Sequence, residues 1–146
     1  MRLHIFHSYG KMRELHPRGW MTMKIQESAE NYLETILVLH QRKGSVRSID
    51  IANELEFSKP SVSVAMKNLR LNGYIEVDAG GLIHLLPEGR AIAEAVLEKH
   101  RMMTDFLIAL GVSPEVAAED ACRIEHVLSD ESFSAIKRHA EKYAQK

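Results

Sequence analysis

A thiol, a carboxylate and an imidazole lie close together near the carboxyl end of the chain, as Cys122, Glu125 and His126. In a helix, positions i, i+3 and i+4 lie on one face, so these three side chains could converge on one point. Each is a ligand of first-row transition metals. The mixed sulfur, oxygen and nitrogen set suits iron, manganese, cobalt, nickel or zinc better than calcium or magnesium. The spacing therefore predicts a transition-metal site on a helix.

His100 is a further candidate ligand on the preceding helix, which apolar periodicity places from Pro87 to about Leu110. A short turn would make this helix antiparallel to the next one, predicted over residues 113–128, and would let His100 face the cluster. A lone histidine in an apolar stripe is more often a hydrogen-bonded core residue than a ligand. The neighbouring cluster is what favours a role in metal binding.

The first helix, predicted from Ser28 to about Gln41, carries two more polar candidates. Asn31 and Glu34 are three residues apart and so share one face of that helix. Taken alone, the pair is more simply explained as a solvated polar face. Both residues are nevertheless kept as candidate metal ligands.

The middle of the chain has the pattern of a winged helix-turn-helix. A helix predicted from Ser48, which can cap it, is separated by a turn at 57–58 from another helix ending near residue 72. Two short β-prone runs, 74–77 and 82–85, flank a Gly-Gly pair and predict a hairpin. A sharp turn between two short helices, followed by a hairpin, is typical of DNA-binding domains.

These elements predict a mainly α fold with two domains. The winged helix-turn-helix DNA-binding domain takes residues 27–87. Residues 88–146 form an all-helical domain that holds the cysteine, glutamate and histidine candidates for metal binding, and its extensive apolar stripes predict dimerisation. Residues 1–20 show no regular period, so residues 1–26 are expected to be a disordered extension or the product of a misplaced start codon. The alternatives are a basic arm that contacts DNA and a histidine tail that binds metal.

Basic side chains are concentrated in the second helix of the helix-turn-helix, although the formal net charge of the chain is -1. Residues 58–72 hold three basic side chains and no acid, a modest footprint for a phosphate backbone. Such a helix meets base edges with its first residues, and the Pro60 ring can pack on a thymine methyl. The candidates for base contacts are Ser58, Lys59, Pro60, Ser61 and Ser63, and those for phosphate contacts are Arg47, Lys59, Lys67 and Arg70.

Composition places the chain among soluble proteins. Apolar residues make up 45% and charged residues 27% of the 146 residues, and no apolar run approaches the length of a membrane span. The single cysteine excludes an internal disulfide framework and fits a reducing cytosol. We therefore expect a cytoplasmic protein without a membrane partner.

Several motifs, in the same order along the chain, resemble those of the diphtheria toxin repressor family of iron- and manganese-dependent regulators, in its short two-domain form. The metal-binding helix of that family is similar to residues 119–131, Glu-Asp-Ala-Cys-Arg-Ile-Glu-His-Val-Leu-Ser-Asp-Glu. Residues 99–101, 58–63 and 30–34 match its other signatures, and the resemblance covers about residues 27–140.

The resemblance implies a ligand set and a choice between two metals. Cys122, Glu125 and His126 stand where the family binds its regulatory metal, and His100 stands where a further ligand lies. Glu34 occupies a ligand position of the manganese branch, whereas Cys122 is the choice of the iron branch, since a thiolate suits Fe(II) better than Mn(II). Asn31 matches neither the aspartate of the manganese branch nor the methionine of the iron branch. The cofactor is therefore expected to be Fe(II) or Mn(II), with a slight preference for iron.

The function implied is that of a metal-activated repressor of metal-uptake genes, which binds a palindromic operator in double-stranded DNA as a homodimer. One alternative is a winged-helix regulator of another class that uses Cys122 as a redox sensor. A more distant alternative is a small metallohydrolase with Glu34 or Glu125 as its base. The sequence shows no nucleophile motif or glycine loop for a substrate, so the enzyme is the weaker of the two.

Overall fold

The computed structural model describes residues 19–144, with side chains from residue 26 to residue 143. The fold is mainly helical, as the sequence predicts. In chain order the elements are α1 (Gly19–Lys43), α2 (Ser48–Leu55), α3 (Lys59–Leu71), β1 (Ile75–Val77), β2 (Ile83–Leu85), α4 (Pro87–Ala109), α5 (Pro114–Ile124) and α6 (Asp130–Ala144).

The described chain divides into two compact units, one ending at Ala95 and the other beginning at Val96. This boundary falls inside α4. The sequence predicts a domain boundary between residues 87 and 88, where that helix begins, and this boundary stays a prediction.

In the amino-terminal unit, three helices pack around one apolar core and a two-stranded hairpin completes it. We call residues 75–85, the two strands and the turn between them, the wing. The strands are antiparallel, with Ile75 opposite Leu85 and Val77 opposite Ile83. The Ile83 N–H donates to the carbonyl of Val46 at 2.8 Å, which joins the wing to the segment before α2. The buried apolar residues of this core include Leu33, Ile36, Leu39, Val46, Ile51, Leu55, Val62, Met66, Leu69, Ile75 and Ile83.

The helix-turn-helix owes its sharp turns to polar groups at the starts of α2 and α3. The sequence predicts Ser48 as the cap of α2, but Ser48 is already helical and Arg47 is the extended residue before it. The Asp50 carboxylate accepts the Arg47 N–H at 2.8 Å, so the cap comes from within the helix. At α3, Ser58 accepts the Ser61 N–H at 3.3 Å, as a helix cap does.

Helix α1 begins earlier than the sequence predicts. Its first residue is Gly19 rather than Ser28, so residues 19–26 belong to a helix and not to an irregular extension. The predictions for residues 1–18 lie outside the described part of the chain. The apolar period becomes regular only after Ser28, which is why the pattern alone misses the first turns.

Helix α5 ends earlier than the sequence predicts, at Ile124 rather than Leu128. The N–H groups of Val127 and Leu128 both donate to the Ile124 carbonyl at 3.0 Å and close a turn. Ser129 then accepts the Ser132 N–H at 3.2 Å at the start of α6. A capping residue needs a non-helical backbone, so a cap at Ser129 requires α5 to stop before it.

In the carboxyl-terminal unit, α6 is held on the second half of α4. Lys99 donates to Asp130 at 2.8 Å, and its ammonium lies 5.7 Å from the centre of the Phe133 ring. Glu98 accepts from Lys137 at 2.5 Å. Because these ion pairs are solvent-exposed, burial of Phe133 contributes more to stability than the charges do.

Across residues 19–144, no helix combines the length and apolarity that crossing a membrane requires.

Gly89 is a position at which the fold demands glycine. A Cβ built on Gly89 would lie 2.1 Å from the carbonyl oxygen of Tyr74, which also accepts the Leu86 N–H. We expect Gly89→Ala to lower the free energy of unfolding by about 1–3 kcal/mol, although alanine is the better helix former. Urea unfolding measures this, with Arg90→Ala at the neighbouring exposed position as the control. Equal or higher stability of Gly89→Ala would contradict the close approach.

Candidate metal centre

Three polar side chains are buried on one face of α1, in the amino-terminal unit. Asn31, Glu34 and Thr35 are at most 5% exposed. The Thr35 hydroxyl donates a hydrogen bond to the Asn31 carbonyl, one turn earlier in the same helix, at 2.8 Å. Asn31 and Glu34 therefore do not form a solvated polar face, and that alternative is wrong. Burying a carboxylate is costly unless charged or hydrogen-bonding groups compensate it, which makes Glu34 a candidate for a functional role.

In the carboxyl-terminal unit, a buried carboxylate lies between two imidazoles. Nδ1 of His100 is 2.7 Å from Oε2 of Glu125, and Nε2 of His126 is 3.2 Å from Oε1 of the same carboxylate. The side chains of Glu125 and His126 are fully buried, and that of His100 nearly so. His100 thus faces the cluster, as expected for neighbouring helices joined by a short turn.

The end of α5 positions Glu125 and His126. The Glu125 N–H donates to the Ala121 carbonyl at 2.9 Å and its backbone is still helical, so its side chain leaves the helix one turn after Cys122. His126 belongs to the turn that follows. The prediction of one continuous helical face is wrong for His126, yet the turn still brings its imidazole to Glu125.

Opposing effects determine the charge of Glu125. Burial raises the pKa of its carboxyl, but the contacts with His100 and His126 outweigh burial, so the pKa lies below the ordinary value of 4.5. The carboxylate is therefore ionised near neutral pH. An ionised carboxylate with two imidazoles is a donor set that suits divalent first-row metals.

The geometry of Glu125 also fits a metal ligand. Among the described side chains, its Oε1 is a buried oxygen without a hydrogen bond, although Nε2 of His126 is only 3.2 Å away. A close nitrogen–oxygen pair that is not aligned as donor and acceptor is expected for two ligands of one ion. A buried acceptor would otherwise carry the cost of desolvation without a partner.

Cys122 lies on α5 one turn before Glu125 and is 3% exposed. A redox sensor needs a thiol that oxidants can reach. The burial of Cys122 counts against the redox alternative and agrees with a structural or ligand role.

The candidate base-contacting residues lie on the open face of α3. All seven candidates from Ser58 to Arg70 are exposed, whereas Val62, Met66 and Leu69 point into the core. The Ser58 hydroxyl donates to that of Ser61 at 2.8 Å, in addition to accepting the Ser61 N–H. Ser58 therefore caps α3, while base contacts by residues 58–61 and 63 and phosphate contacts by Lys59, Lys67 and Arg70 stay predictions.

Arg47 is exposed, and its guanidinium donates to the Gly80 carbonyl at the tip of the wing. The sequence predicts a phosphate contact for Arg47 but does not predict its hydrogen bond to Gly80. It also misses Asp78, whose carboxylate accepts the N–H groups of Gly80 and Leu82 at 2.9 Å and contacts His84 at 3.0 Å. An aspartate two residues before a glycine in a turn is the signal that could have indicated it.

Two family descriptions match nearly the whole described chain. "Iron dependent repressor, N-terminal DNA binding domain" matches residues 24–80. "Iron dependent repressor, metal binding and dimerisation domain" matches residues 86–145. The first contains α2, α3 and the first strand of the wing, and the second contains His100, Cys122, Glu125 and His126.

Curated relatives agree with these matches. The transcriptional regulator MntR of Escherichia coli O6:H1 is 33% identical over 94% of this chain and 84% of its own length. The diphtheria toxin repressor of Corynebacterium efficiens is 36% identical over 72% of this chain, but over only 46% of its own length.

Solved structures of similar fold include a manganese-dependent transcriptional repressor in complex with manganese, with a TM-score of 0.70 and 25% identity. The manganese regulator SloR has a TM-score of 0.69 and 27% identity. This chain spans about half of each of those two proteins, at 51% and 53% of their lengths, and the matches cover 76% and 77% of this chain. With a helix-turn-helix followed by a helical unit that buries a carboxylate between two imidazoles, the chain belongs to the iron-dependent repressor family.

Proposed function

We propose that this protein is a repressor of metal-uptake genes, active as a homodimer on a palindromic operator when Fe(II) or Mn(II) is bound. The observation that carries the proposal is the fully buried carboxyl group of Glu125, which lies between the imidazoles of His100 and His126. It supplies a metal-binding group in the chain that also exposes the basic, acid-free face of α3. A relative named as a transcriptional regulator and a similar structure named as a manganese-dependent transcriptional repressor support the same conclusion.

His100, Glu125 and His126 form the centre of the proposed ligand set. Glu34 and Cys122 complete it, and Asn31 is the least supported member. The burial of Glu34 supports its place in this set, because a carboxylate ligand gives a buried acid a role that an exposed polar face would not.

The proposed set contains preferences for two metals. The Cys122 thiolate is the softer ligand and favours Fe(II), whereas carboxylates such as Glu34 suit Mn(II). Relatives named for manganese favour the second metal. Fe(II) and Mn(II) therefore both remain candidates for the activating metal. Measuring DNA binding with each ion separately decides between them.

Regulation follows in this proposal from ligands on more than one helix. Glu34 is on α1, which packs in the core of the DNA-binding unit, whereas His100 and Glu125 belong to α4 and the end of α5. Side chains drawn together on an ion favour one arrangement of the helices that carry them. A change from mostly inactive to mostly active protein requires roughly 5 kcal/mol of differential binding, which several metal–ligand bonds can supply.

The proposal places the protein among DNA-binding regulators and not among enzymes. The named relatives are transcriptional regulators, and the burial of Cys122 disfavours a redox sensor. A cytoplasmic location follows from the proposed action on chromosomal DNA.

Replacing the central carboxylate tests the ligand set. We expect Glu125→Gln to weaken Mn(II) binding by more than about tenfold, because the amide retains the shape but loses the negative charge. Isothermal titration of metal-free protein under anaerobic conditions measures the affinity. Glu119→Gln, at an exposed position on α5, is the matched control and should bind Mn(II) like the wild type. Unchanged affinity in Glu125→Gln would exclude the carboxylate as a ligand.

Metal-dependent DNA binding tests the function itself. Duplexes selected from a random pool with Mn(II)-loaded protein should bind tightly with Mn(II) or Fe(II) and lose most of that affinity on chelation. Lys67→Ala should weaken binding similarly for all duplexes and should lower the salt dependence by about one unit per subunit, as expected for a phosphate contact. Fluorescence anisotropy measures both effects, with Lys142→Ala on α6 as the control. Selection of no duplex, or binding unaffected by chelation, would contradict the proposed function.

A further inference from the structure

Helix α3 presents an exposed valine that the fold does not use. Val62 is fully buried, whereas Val64, two residues later, is 61% exposed. With roughly 100° of rotation per residue, Val64 projects away from the face that carries Val62, Met66 and Leu69 into the core. Helix propensity does not explain a valine at this exposed position either, because alanine would stabilise the helix more.

The surroundings of Val64 are suited to a DNA groove. Pro60 lies one turn before it and Lys67 about one turn after it, and both are exposed on the same side of α3. Ser61 and Ser63 are too small to screen the valine methyl groups. Since the helix carries no acidic residue, no negative charge on α3 opposes the approach of phosphates to this face.

The hydroxyl groups closest to the start of α3 are already engaged. The Ser58 oxygen accepts the Ser61 N–H, and its hydrogen is donated to the Ser61 oxygen at 2.8 Å. A hydroxyl held in a cap has less freedom to adapt to a base edge. The exposed methyl groups of Val64 have no such engagement, and they lie in the second turn of the helix.

We propose that Val64 is a specificity-determining residue, which contacts thymine C5-methyl groups in the major groove. The inference rests on the proposed function. Valine neither donates nor accepts a hydrogen bond, and the C5-methyl of thymine is the apolar group on the base edges of that groove. Against cytosine, the same side chain would cover an amino group without offering an acceptor, which disfavours that base.

The size of the effect follows from the area of one methyl group. Removing water from one methyl contributes on the order of 0.8 kcal/mol, or about a fourfold change in affinity for each half-site. Val64→Ala removes the contact without a cost to the fold, because an exposed helical position is being changed to a residue of higher helix propensity. Circular dichroism and urea unfolding verify that the variant is folded.

Uracil in place of thymine tests the contact, because it removes the methyl group and leaves every hydrogen-bonding group of the pair in place. The probe is a duplex selected from a random pool with Mn(II)-loaded wild-type protein. In that duplex each thymine is replaced singly by uracil, and affinity is measured by fluorescence anisotropy. The matched control is Leu71→Ala, which removes an exposed apolar side chain from the same helix about 10 Å further along its axis.

We expect at least one thymine in each half-site at which uracil weakens wild-type binding about fourfold. At one such thymine in each half-site, Val64→Ala should bind the thymine and uracil duplexes equally, and Leu71→Ala should retain the wild-type difference. A thymine contacted by Pro60 should keep its uracil effect in Val64→Ala. Loss of no uracil effect in Val64→Ala, or selected half-sites without a methyl-sensitive thymine, would overturn the inference and leave the proposed function standing. Failure of the wild type to select any duplex would overturn both.

Discussion

The structure depends on the burial of one carboxyl group. The side chain of Glu125 has no solvent exposure and lies within 2.7 Å and 3.2 Å of two imidazole nitrogens, which hold its pKa below the ordinary value. A carboxylate in such a place is stable only while positive charge or hydrogen-bond donors are supplied to it. In our proposal a divalent ion meets that requirement. The state of the cluster is then tied to the packing of α4 against the end of α5.

In the DNA-binding unit, several polar side chains stabilise helix starts and turns. Ser58 caps α3, the Asp50 carboxylate caps α2, and Asp78 holds the turn of the wing through two backbone N–H groups. Arg47 contacts the wing tip at Gly80. These contacts fix the exposed face of α3 in a defined relation to the wing. In our proposal, DNA recognition uses exposed side chains of α3 that the fold does not need, among them the lysines and Val64.

The sequence predicts most of this architecture and only part of the site. Helices α2 and α3 and the hairpin follow from apolar periodicity and glycine turns, which are local signals. Two features are missed for different reasons. The end of α5 is set by a local turn on the Ile124 carbonyl, which the apolar period does not report. The burial of Glu34 is a tertiary effect, because helical spacing does not show whether a polar face is covered. The spacing of His100, Glu125 and His126 predicts that their side chains lie close together, and the structure shows that they do. No spacing rule predicts the lowered pKa of Glu125.

Reciprocal linkage tests the central claim most directly, because two ligands that favour the same state must strengthen each other by equal factors. The measurement is the Mn(II) affinity of the wild-type protein, determined by anaerobic titration with and without a saturating selected duplex. The account predicts that the duplex raises the Mn(II) affinity by the same factor by which Mn(II) raises the affinity for the duplex. An Mn(II) affinity that is unchanged by the duplex would contradict it.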